Sequence, residues 1–234
     1  MTQGIPTAAA VLVGGGSGNR FGGDKLTGLL AGKPLLAHTL AAFEAVPQIF
    51  TIVLVTPVGR EEEFRAIARD AGISKLSAVV TGGSHRHESV LNGLKALPEG
   101  IDFAAIHDAA RPLITPALIC RALEAAAREG AAAVAAPVID TLHRIDTSGH
   151  AAGTVDRSSL RAMQTPQVFR VQELIALIGS ADGIPTDEVS VAMGAGKKVF
   201  LVEHSEANLK VTWPQDVIMA GALLVARAKQ GSES

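Results

Sequence analysis

Residues 8–25 read AAAVLVGGGSGNRFGGDK, an apolar run followed by a glycine-rich segment that carries two cations, Arg20 and Lys25. The run at residues 8–13 predicts a buried β-strand. Glycines directly after a strand let backbone N–H groups approach a phosphate without obstruction by Cβ atoms. Ligands of open α/β sheets bind at the carboxyl ends of the strands. The segment therefore predicts a loop that holds a phosphate chain.

This glycine loop matches neither of two familiar phosphate-binding patterns. In the dinucleotide pattern G-x-G-x-x-G, the last glycine is replaced by Asn19 counting from Gly14, and by Phe21 counting from Gly16. In the pattern G-x-x-x-x-G-K-[ST], Asp24 stands where the lysine is required. A solvated glycine loop with incidental cations is the alternative, which the position after a strand disfavours.

The composition indicates a single domain over residues 1–234, long enough for a substantial core. Aromatic residues make up 3% of the chain and the formal net charge is −2, so we expect no nucleic-acid partner. No apolar run approaches the ~20 residues that span a bilayer, and the N-terminus lacks a signal-peptide pattern, so we expect no membrane partner. The single Cys120 fits a reducing compartment, and we expect a cytoplasmic protein.

Apolar runs alternate with segments of helical periodicity along the chain. The predicted strands are residues 8–13, 51–55, 77–80, 103–107, 132–138 and 198–203. The predicted helices are residues 35–46, 61–71, 88–97, 116–129 and 214–226. Strands that are apolar throughout and alternate with helices indicate an α/β fold with a mostly parallel sheet, covered on both faces.

Three segments fall outside this alternation. Residues 139–160 are polar and turn-rich, and predict a hairpin that projects from the α/β body as a lid or as an arm that grips a second subunit. Residues 162–169, AMQTPQVF, are predicted to form a turn, and residues 186–188 the N-terminus of a helix. The last six residues, KQGSES, are predicted to be a frayed tail.

Polar side chains follow the third and fourth predicted strands. After the third strand come Gly83 and Ser89, with Ser84 as the expected N-cap of the next helix. His85 and His87 are interpreted as solvated loop residues, because no third metal ligand is nearby. Asp108 follows the fourth strand, where an aspartate commonly binds a sugar hydroxyl or Mg²⁺. A structural ion pair with the nearby arginine of HDAARP is an equally supported alternative.

Taken in order, the following stretches resemble one family: VGGGSGNRFGGDK, VTGGSHRHESVLNGL, HDAARP, APVIDT, VDRSSL, QTPQVF, TDEVS and NLKVTWPQD. The chain resembles the 2-C-methyl-D-erythritol 4-phosphate cytidylyltransferases. That resemblance implies transfer of CMP from CTP to a sugar-alcohol phosphate, with release of pyrophosphate and with Mg²⁺ bound mainly through the CTP phosphates. It also implies a Rossmann-like, doubly wound sheet with a projecting β-arm, and a homodimer held through that arm.

The resemblance assigns roles to individual residues. Those matched to catalysis are Arg20, Lys25, Arg157 and Lys210. Those matched to nucleotide contacts are Gly14, Gly15, Gly16, Gly83, Ser89 and Asp108. Those matched to the acceptor phosphate are Arg111, Thr141, Arg157 and Lys210. Thr141 and Arg157 are expected to come from the partner's arm. The chain departs from the family's usual pattern at Val13–Gly16, typically Pro-Ala-Ala-Gly, and at Asp24, typically proline.

Three other functions are weighed beside this one. The family of ribitol 5-phosphate cytidylyltransferases shares HDAARP and QTPQ. A non-catalytic nucleotide-binding protein is disfavoured, because a binder would need neither Lys210 nor Arg157. A guanylyltransferase of the molybdopterin type is disfavoured by HDAARP.

Overall fold

The computed structural model describes residues 6–15, 24–181 and 183–232. The strands are β1 (Ala8–Val13), β2 (Leu29–Leu30), β3 (Lys33–Pro34), β4 (Ile49–Thr56), β5 (Leu76–Thr81), β6 (Phe103–Asp108), β7 (Ala131–Pro137), β8 (Leu142–Ile145), β9 (Ala151–Val155), β10 (Arg161–Arg170) and β11 (Phe200–Glu203). The helices are α1 (Leu35–Glu44), α2 (Glu61–Asp70), α3 (Arg86–Lys95), α4 (Pro116–Glu129), α5 (Val171–Gly179), α6 (Glu188–Gly194) and α7 (Pro214–Ser232).

A seven-stranded sheet organises the fold, with strand order β11-β7-β10-β6-β1-β4-β5. Strand β10 runs antiparallel to both of its neighbours, β6 and β7, and the other pairs within this sheet are parallel. The predicted α/β fold with a mostly parallel sheet is therefore confirmed. The carboxyl ends of six strands and the amino end of β10 lie along one edge.

Helices cover both faces of this sheet. Consecutive residues of a strand point to opposite faces, and since the central strands are apolar at successive positions, both faces must be buried. Leu12 packs in a core with residues of α1, α2 and α4. Its neighbour Val11 packs in a second core with residues of α3, α5 and α6. Helix α3 approaches so closely that a Cβ on Gly93 would lie 2.4 Å from Cγ1 of Val11. This contact needs glycine and fixes α3 directly above β1.

The turn predicted for residues 162–169 is wrong, because these residues lie within the ten-residue strand β10. Local turn chemistry from Pro166 and the polar side chains favoured the turn, but pairing with two distant strands overrides it. The ladder to β7 shifts register between Met163 and Gln167, and this irregularity accommodates the proline. Helix α5, which follows at once, was not predicted either.

The structure also shows the outcome for the predicted hairpin and for the predicted tail. The projecting hairpin is present as the antiparallel pair β8 and β9, with exposed side chains along most of its length. A short 3₁₀ turn, Arg157–Ser159, connects it to β10. The prediction of a frayed tail is wrong for residues 229–232, because helix α7 continues through them. Within the described ranges, the structure contains no helix with the length and apolarity needed to cross a membrane.

Candidate active site

Four glycines gather where β1, β4 and β5 end. The Gly14 N–H donates a hydrogen bond to the carbonyl of Val55 at 2.8 Å. The Gly82 N–H donates in the same way to the carbonyl of Thr56, also at 2.8 Å. These bonds continue the parallel ladder past the strand ends and bring the first residues of the glycine loop beside Gly82. The structure thus assembles the predicted glycines Gly14, Gly15 and Gly83 at one edge.

Ser89 organises this glycine cluster through its hydroxyl group. Its Oγ accepts a hydrogen bond from the Gly83 N–H at 3.0 Å and donates one to the carbonyl of His85 at 3.1 Å. Its side chain is 3% exposed, and a Cβ on Gly15 would stand 3.4 Å from its Oγ. Ser89 therefore fixes the loop between β5 and α3 and lies against the start of the glycine loop.

Helix α3 begins at Arg86, with His85 as its N-cap rather than Ser84. The Glu88 carboxylate accepts hydrogen bonds from the N–H groups of Ser84 and His85, at 2.7 Å and 3.2 Å. The bond from the His85 N–H is the main reason that the pKa of Glu88 is lowered. The rings of His85 and His87 stack at 5.7 Å. His87 lies in the first turn of α3, which corrects its interpretation as a loop residue, whereas His85 is exposed and precedes the helix.

Asp108, the last residue of β6, lies among three cations. Its carboxylate is 2.8 Å from Nζ of Lys210, 3.4 Å from Nε of Arg86 and 3.5 Å from Nε of Arg111. Burial alone would raise the pKa of Asp108, but Lys210 and the two arginines outweigh it and hold that pKa well below its usual range. Asp108 is thus an anion at neutral pH that keeps three positive charges close together.

Arg86 was not singled out from the sequence, although it lies between the two histidines of GGSHRHESV. Its Nη1 donates to Oε1 of Glu188 at 2.6 Å, and Glu188 is 1% exposed. Burial lowers the pKa of Arg86, but the carboxylates of Glu188 and Asp108 raise it by more, so the net shift is upward. This pair joins the start of α3 to the start of α6 across the cleft.

His107 and Thr165 fix the backbone that carries Asp108. The Asp108 N–H donates to Oγ1 of Thr165 at 3.1 Å, and the Thr165 hydroxyl contacts Nδ1 of the fully buried His107 at 3.0 Å. The other ring nitrogen, Nε2, lies 3.4 Å from the Arg111 carbonyl. Burial lowers the pKa of His107 to about 3. A neutral ring that accepts at Nδ1 and donates from Nε2 satisfies both contacts.

The extended segment that carries Lys210 is tied to the same edge. The Asn208 side-chain amide donates to Oε1 of Gln164 at 2.8 Å and to the Thr165 carbonyl at 3.0 Å. Nη1 of Arg111 donates to the Asn208 carbonyl at 2.8 Å. A single lysine on an extended surface segment, such as Lys210, is usually a solvated charge. The structure instead holds its backbone in place and pairs its ammonium group with Asp108.

These side chains surround a cleft of about 610 Å³. It is lined by Arg86, Asp108, Arg111, Met163, Gln164, Thr165, Gln167, Thr186, Asp187, Val189, Ser190, Met193 and Lys210. Of the residues predicted for the acceptor phosphate, Arg111 and Lys210 line it, whereas Thr141 and Arg157 lie exposed on or beside the hairpin and are not among the lining residues.

Two predicted site residues, Arg20 and Gly16, lie outside the described residues, and Lys25 is half-buried at the far end of the glycine loop. The lining residues that sequence reasoning missed include Gln167 and Asp187. The Gln167 amide donates to Asp187 at 2.9 Å, and Asp187 accepts the N–H of Ser190 as the cap of α6. The capping pattern TDEVS revealed the helix start, but gave no sign that this helix end faces the cleft.

Comparison with known proteins gives a consistent result over nearly the whole chain. The family model described as 2-C-methyl-D-erythritol 4-phosphate cytidylyltransferase matches residues 8–226. A protein of that name from Cereibacter sphaeroides is 43% identical over 225 residues, covering 95% of this chain and 99% of the relative. One from Desulforamulus reducens is 39% identical over 224 residues, covering 93% of this chain and 96% of the relative.

Solved structures agree with this match. The 4-diphosphocytidyl-2C-methyl-D-erythritol synthase of Anaerococcus prevotii superposes with a TM-score of 0.83 at 25% identity, covering 94% of this chain and 96% of that structure. The 2-C-methyl-D-erythritol 4-phosphate cytidylyltransferase of Thermus thermophilus superposes with a TM-score of 0.73 at 31% identity, covering 93% and 98%. The predicted Rossmann-like architecture is confirmed by these neighbours.

Proposed function

The chain belongs to the 2-C-methyl-D-erythritol 4-phosphate cytidylyltransferase family, and we propose that it transfers CMP from CTP to 2-C-methyl-D-erythritol 4-phosphate and releases pyrophosphate, a step of isoprenoid precursor synthesis. The observation that carries this proposal is the cleft in which Asp108 gathers Lys210, Arg86 and Arg111. The cleft opens at the sheet edge that also holds the glycine cluster. Ribitol 5-phosphate is the disfavoured acceptor, because the relatives above carry the methylerythritol name.

The reaction is an in-line displacement at the α-phosphorus of CTP. An oxygen of the acceptor phosphate attacks, a new P–O bond forms, and the bond to the bridging oxygen of the β-phosphate breaks. That oxygen leaves with pyrophosphate. The acceptor phosphate is already an anion at neutral pH, so the protein needs neither a covalent nucleophile nor a general base. Its task is to bring two anions together and to offset the charge of the transition state.

Without the cations of the glycine loop and of the β8–β9 hairpin, the positive and negative side chains of the cleft are equal in number. In the described part of the chain, Arg86, Arg111 and Lys210 face Asp108 and Asp187 on the cleft wall, with Glu188 buried beneath. Three cations thus meet three carboxylates, while both substrates are multiply charged anions. The excess positive charge must come from elsewhere. Arg20 and Lys25 supply it from the glycine loop, over the α-phosphate and the leaving pyrophosphate.

Arg157 is the third source of positive charge. It does not line the cleft of its own chain, although the cleft needs a further cation beside Lys210 for the acceptor phosphate. We propose that the hairpin of a second copy brings Arg157 and Thr141 to this cleft, so that the active unit is a homodimer. Lys210 and Arg111 then orient the acceptor from one side, and the partner's Arg157 from the other.

Magnesium is expected to accompany the nucleotide. Asp108 is already engaged by three cations, and the described residues include no group of three or more His, Cys, Asp or Glu side chains arranged to hold a metal ion. The donors that fit Mg²⁺ are therefore the phosphate oxygens of CTP. Bound there, the ion would offset the charge that develops on the leaving pyrophosphate.

Pyrophosphate release tests the proposal directly. The protein is assayed with CTP and either 2-C-methyl-D-erythritol 4-phosphate or ribitol 5-phosphate, and then with GTP and UTP in place of CTP. We expect turnover with CTP and the methylerythritol acceptor. Preference for another nucleotide would refute the nucleotide assignment, preference for ribitol 5-phosphate the acceptor assignment, and nucleotide binding without turnover would support the non-catalytic alternative.

The role of Lys25 is tested in the same assay. Lys25→Ala is expected to lower kcat by ~100-fold or more, with CTP binding less affected, because a preorganised charge acts mainly on the transition state. Lys33→Ala is the matched control, since Lys33 is an exposed lysine on β3 outside the cleft. Near-normal turnover of Lys25→Ala would remove Lys25 from the mechanism.

A further inference from the structure

Asp24 ends the glycine loop and forms a network of its own. Its Oδ1 accepts a hydrogen bond from the Leu26 N–H at 2.9 Å, and its Oδ2 accepts one from the Thr27 hydroxyl at 3.1 Å. Oδ2 also forms an ion pair with Nη1 of Arg60. The first two bonds tighten the turn that contains Lys25, and the third ties this turn to another part of the fold.

Arg60 is a firm attachment point for that turn. It is the residue directly before α2, and its Nε donates to Oε2 of Glu63 at 2.7 Å. Its guanidinium lies over the ring of Phe64, 5.3 Å from the ring centroid, and Phe64 is fully buried. The Arg60 side chain is thus held by the helix and by the core before it reaches Asp24.

Leu26 anchors the other side of Lys25. It is 4% exposed, and its carbonyl accepts a hydrogen bond from the Leu36 N–H at 2.9 Å. A Cβ placed on Gly14 would lie 2.9 Å from Cδ1 of Leu26. The end of the glycine loop therefore packs against the loop's beginning, and the backbone of Lys25 lies between two anchored neighbours, Asp24 and Leu26.

We propose that Asp24 and Arg60 form a clasp that positions the backbone of Lys25 for the transfer reaction. The proposal rests on the proposed role of Lys25. The side chains of Asp24 and Arg60 are 25% and 28% exposed, and a partly exposed ion pair contributes little to global stability. Its effect is therefore local, on where Lys25 stands relative to the phosphates. Small errors in the placement of a catalytic group are costly to the chemical step.

A double-mutant cycle measures this coupling. Asp24→Asn keeps an oxygen that can accept the Leu26 N–H but removes the charge that pairs with Arg60. We expect Asp24→Asn and Arg60→Gln each to lower kcat about tenfold, with the KM for CTP changed less. The double variant should also lose about tenfold rather than about a hundredfold, because both changes open the same clasp.

Glu63→Gln is the matched control, because it removes the charge of the other carboxylate partner of Arg60, keeps an oxygen that can accept the bond from Nε of Arg60, and leaves the ion pair with Asp24 intact. Its kcat should stay within about twofold of the unaltered protein, and the urea midpoints of all these variants should be similar. Single variants that keep full kcat, or a double variant whose losses multiply, would overturn the clasp as a positioning device.

Hydrogen exchange separates this proposal from the proposed function. Arg60→Gln should speed amide exchange in residues 25–28, whereas Glu63→Gln should leave it unchanged. If the unaltered protein shows no transferase activity, the proposed function fails, but the exchange experiment still tests the clasp. Unchanged exchange in Arg60→Gln would overturn the clasp whatever the activity.

Discussion

Acidification should destabilise this protein through one buried side chain, His107. Its ring is fully buried beside Phe43, with a centroid distance of 5.0 Å. The Thr165 hydroxyl and the Arg111 carbonyl contact its two nitrogens, an arrangement that suits a neutral ring. Protonation would place a buried charge close to Arg111. Burial is the main cause that lowers the pKa of His107 from 6.5 to about 3, and it outweighs the neighbouring Asp108 carboxylate, which raises that pKa.

The sign and size follow from proton linkage. Because the folded pKa lies below the unfolded one, the unfolded chain binds the proton first as the pH falls. Stability is unaffected above about pH 6.5 and is lost progressively between about pH 6.5 and 3. Each pH unit in that window costs about 1.4 kcal/mol. From pH 7.5 to 4.5, His107 alone should lower the free energy of unfolding by about 3 kcal/mol.

Urea unfolding at pH 7.5 and 4.5, for the unaltered protein and for His107→Asn, isolates this contribution. Burial also lowers the pKa of His204, which acts in the same direction in both proteins and cancels in the comparison. The variant should show a pH dependence weaker by about 3 kcal/mol. Equal pH dependence in the two proteins would refute the reasoning. If the variant does not fold, the ring of His107 can be titrated by NMR in the unaltered protein. Its resonances should show a neutral ring down to pH 4.5, and protonation above that pH would contradict the prediction.

Three further results are expected. Glu188→Ala should lower the free energy of unfolding by about 3–5 kcal/mol in urea, since it leaves Arg86 charged and without its 2.6 Å partner; a loss below 1 kcal/mol would contradict this. Mixing inactive Arg157→Ala with inactive Lys210→Ala should restore about a quarter of the activity, because half the dimers are mixed and each has one intact site; no recovery after subunit exchange would refute the shared cleft. Chelation by EDTA should abolish turnover until Mg²⁺ returns and leave the urea midpoint unchanged; a lowered midpoint would indicate a protein-bound metal.

The sequence predicted correctly those strands and helices whose conformation follows from their own local composition and periodicity. Strand β1 is apolar throughout and is followed by glycine, and β6 is apolar from Phe103 to Ile106 before it ends in a histidine and an aspartate, so composition identifies both strands. Strand β10 has no such signal, because Gln164, Pro166 and Gln167 interrupt it. Its extended form depends on pairing with Ala105 of β6 and Ala132 of β7. Only the folded sheet supplies that information, so a prediction from local pattern gave a turn.

The same distinction holds in the cleft. Asp108 and Arg111 could be placed together from the sequence, because they lie three residues apart just after a strand. The Arg86–Glu188 pair joins residues that are 102 positions apart, and no local pattern links them. The pair forms because α3 and α6 lie on the same face of the sheet, a consequence of the topology that β10 sets. Missing β10 therefore also meant missing this pair.

From the sequence, Asp108 was open to two interpretations, as a ligand-binding carboxylate or as a partner in a structural ion pair. The geometry favours a third role that depends on both. Three like charges within 3.5 Å of one carboxylate would repel each other without it. Asp108 cannot bind a metal ion or a sugar hydroxyl without giving up part of that hold. Asp187 and Glu188 offset the remaining charge of the wall, so Asp108 fixes where Lys210 stands rather than leaving it a surplus of charge. The carboxylate thus positions the cations of an anion site, and the proposed loop and arm cations would supply the excess positive charge that attracts an arriving phosphate.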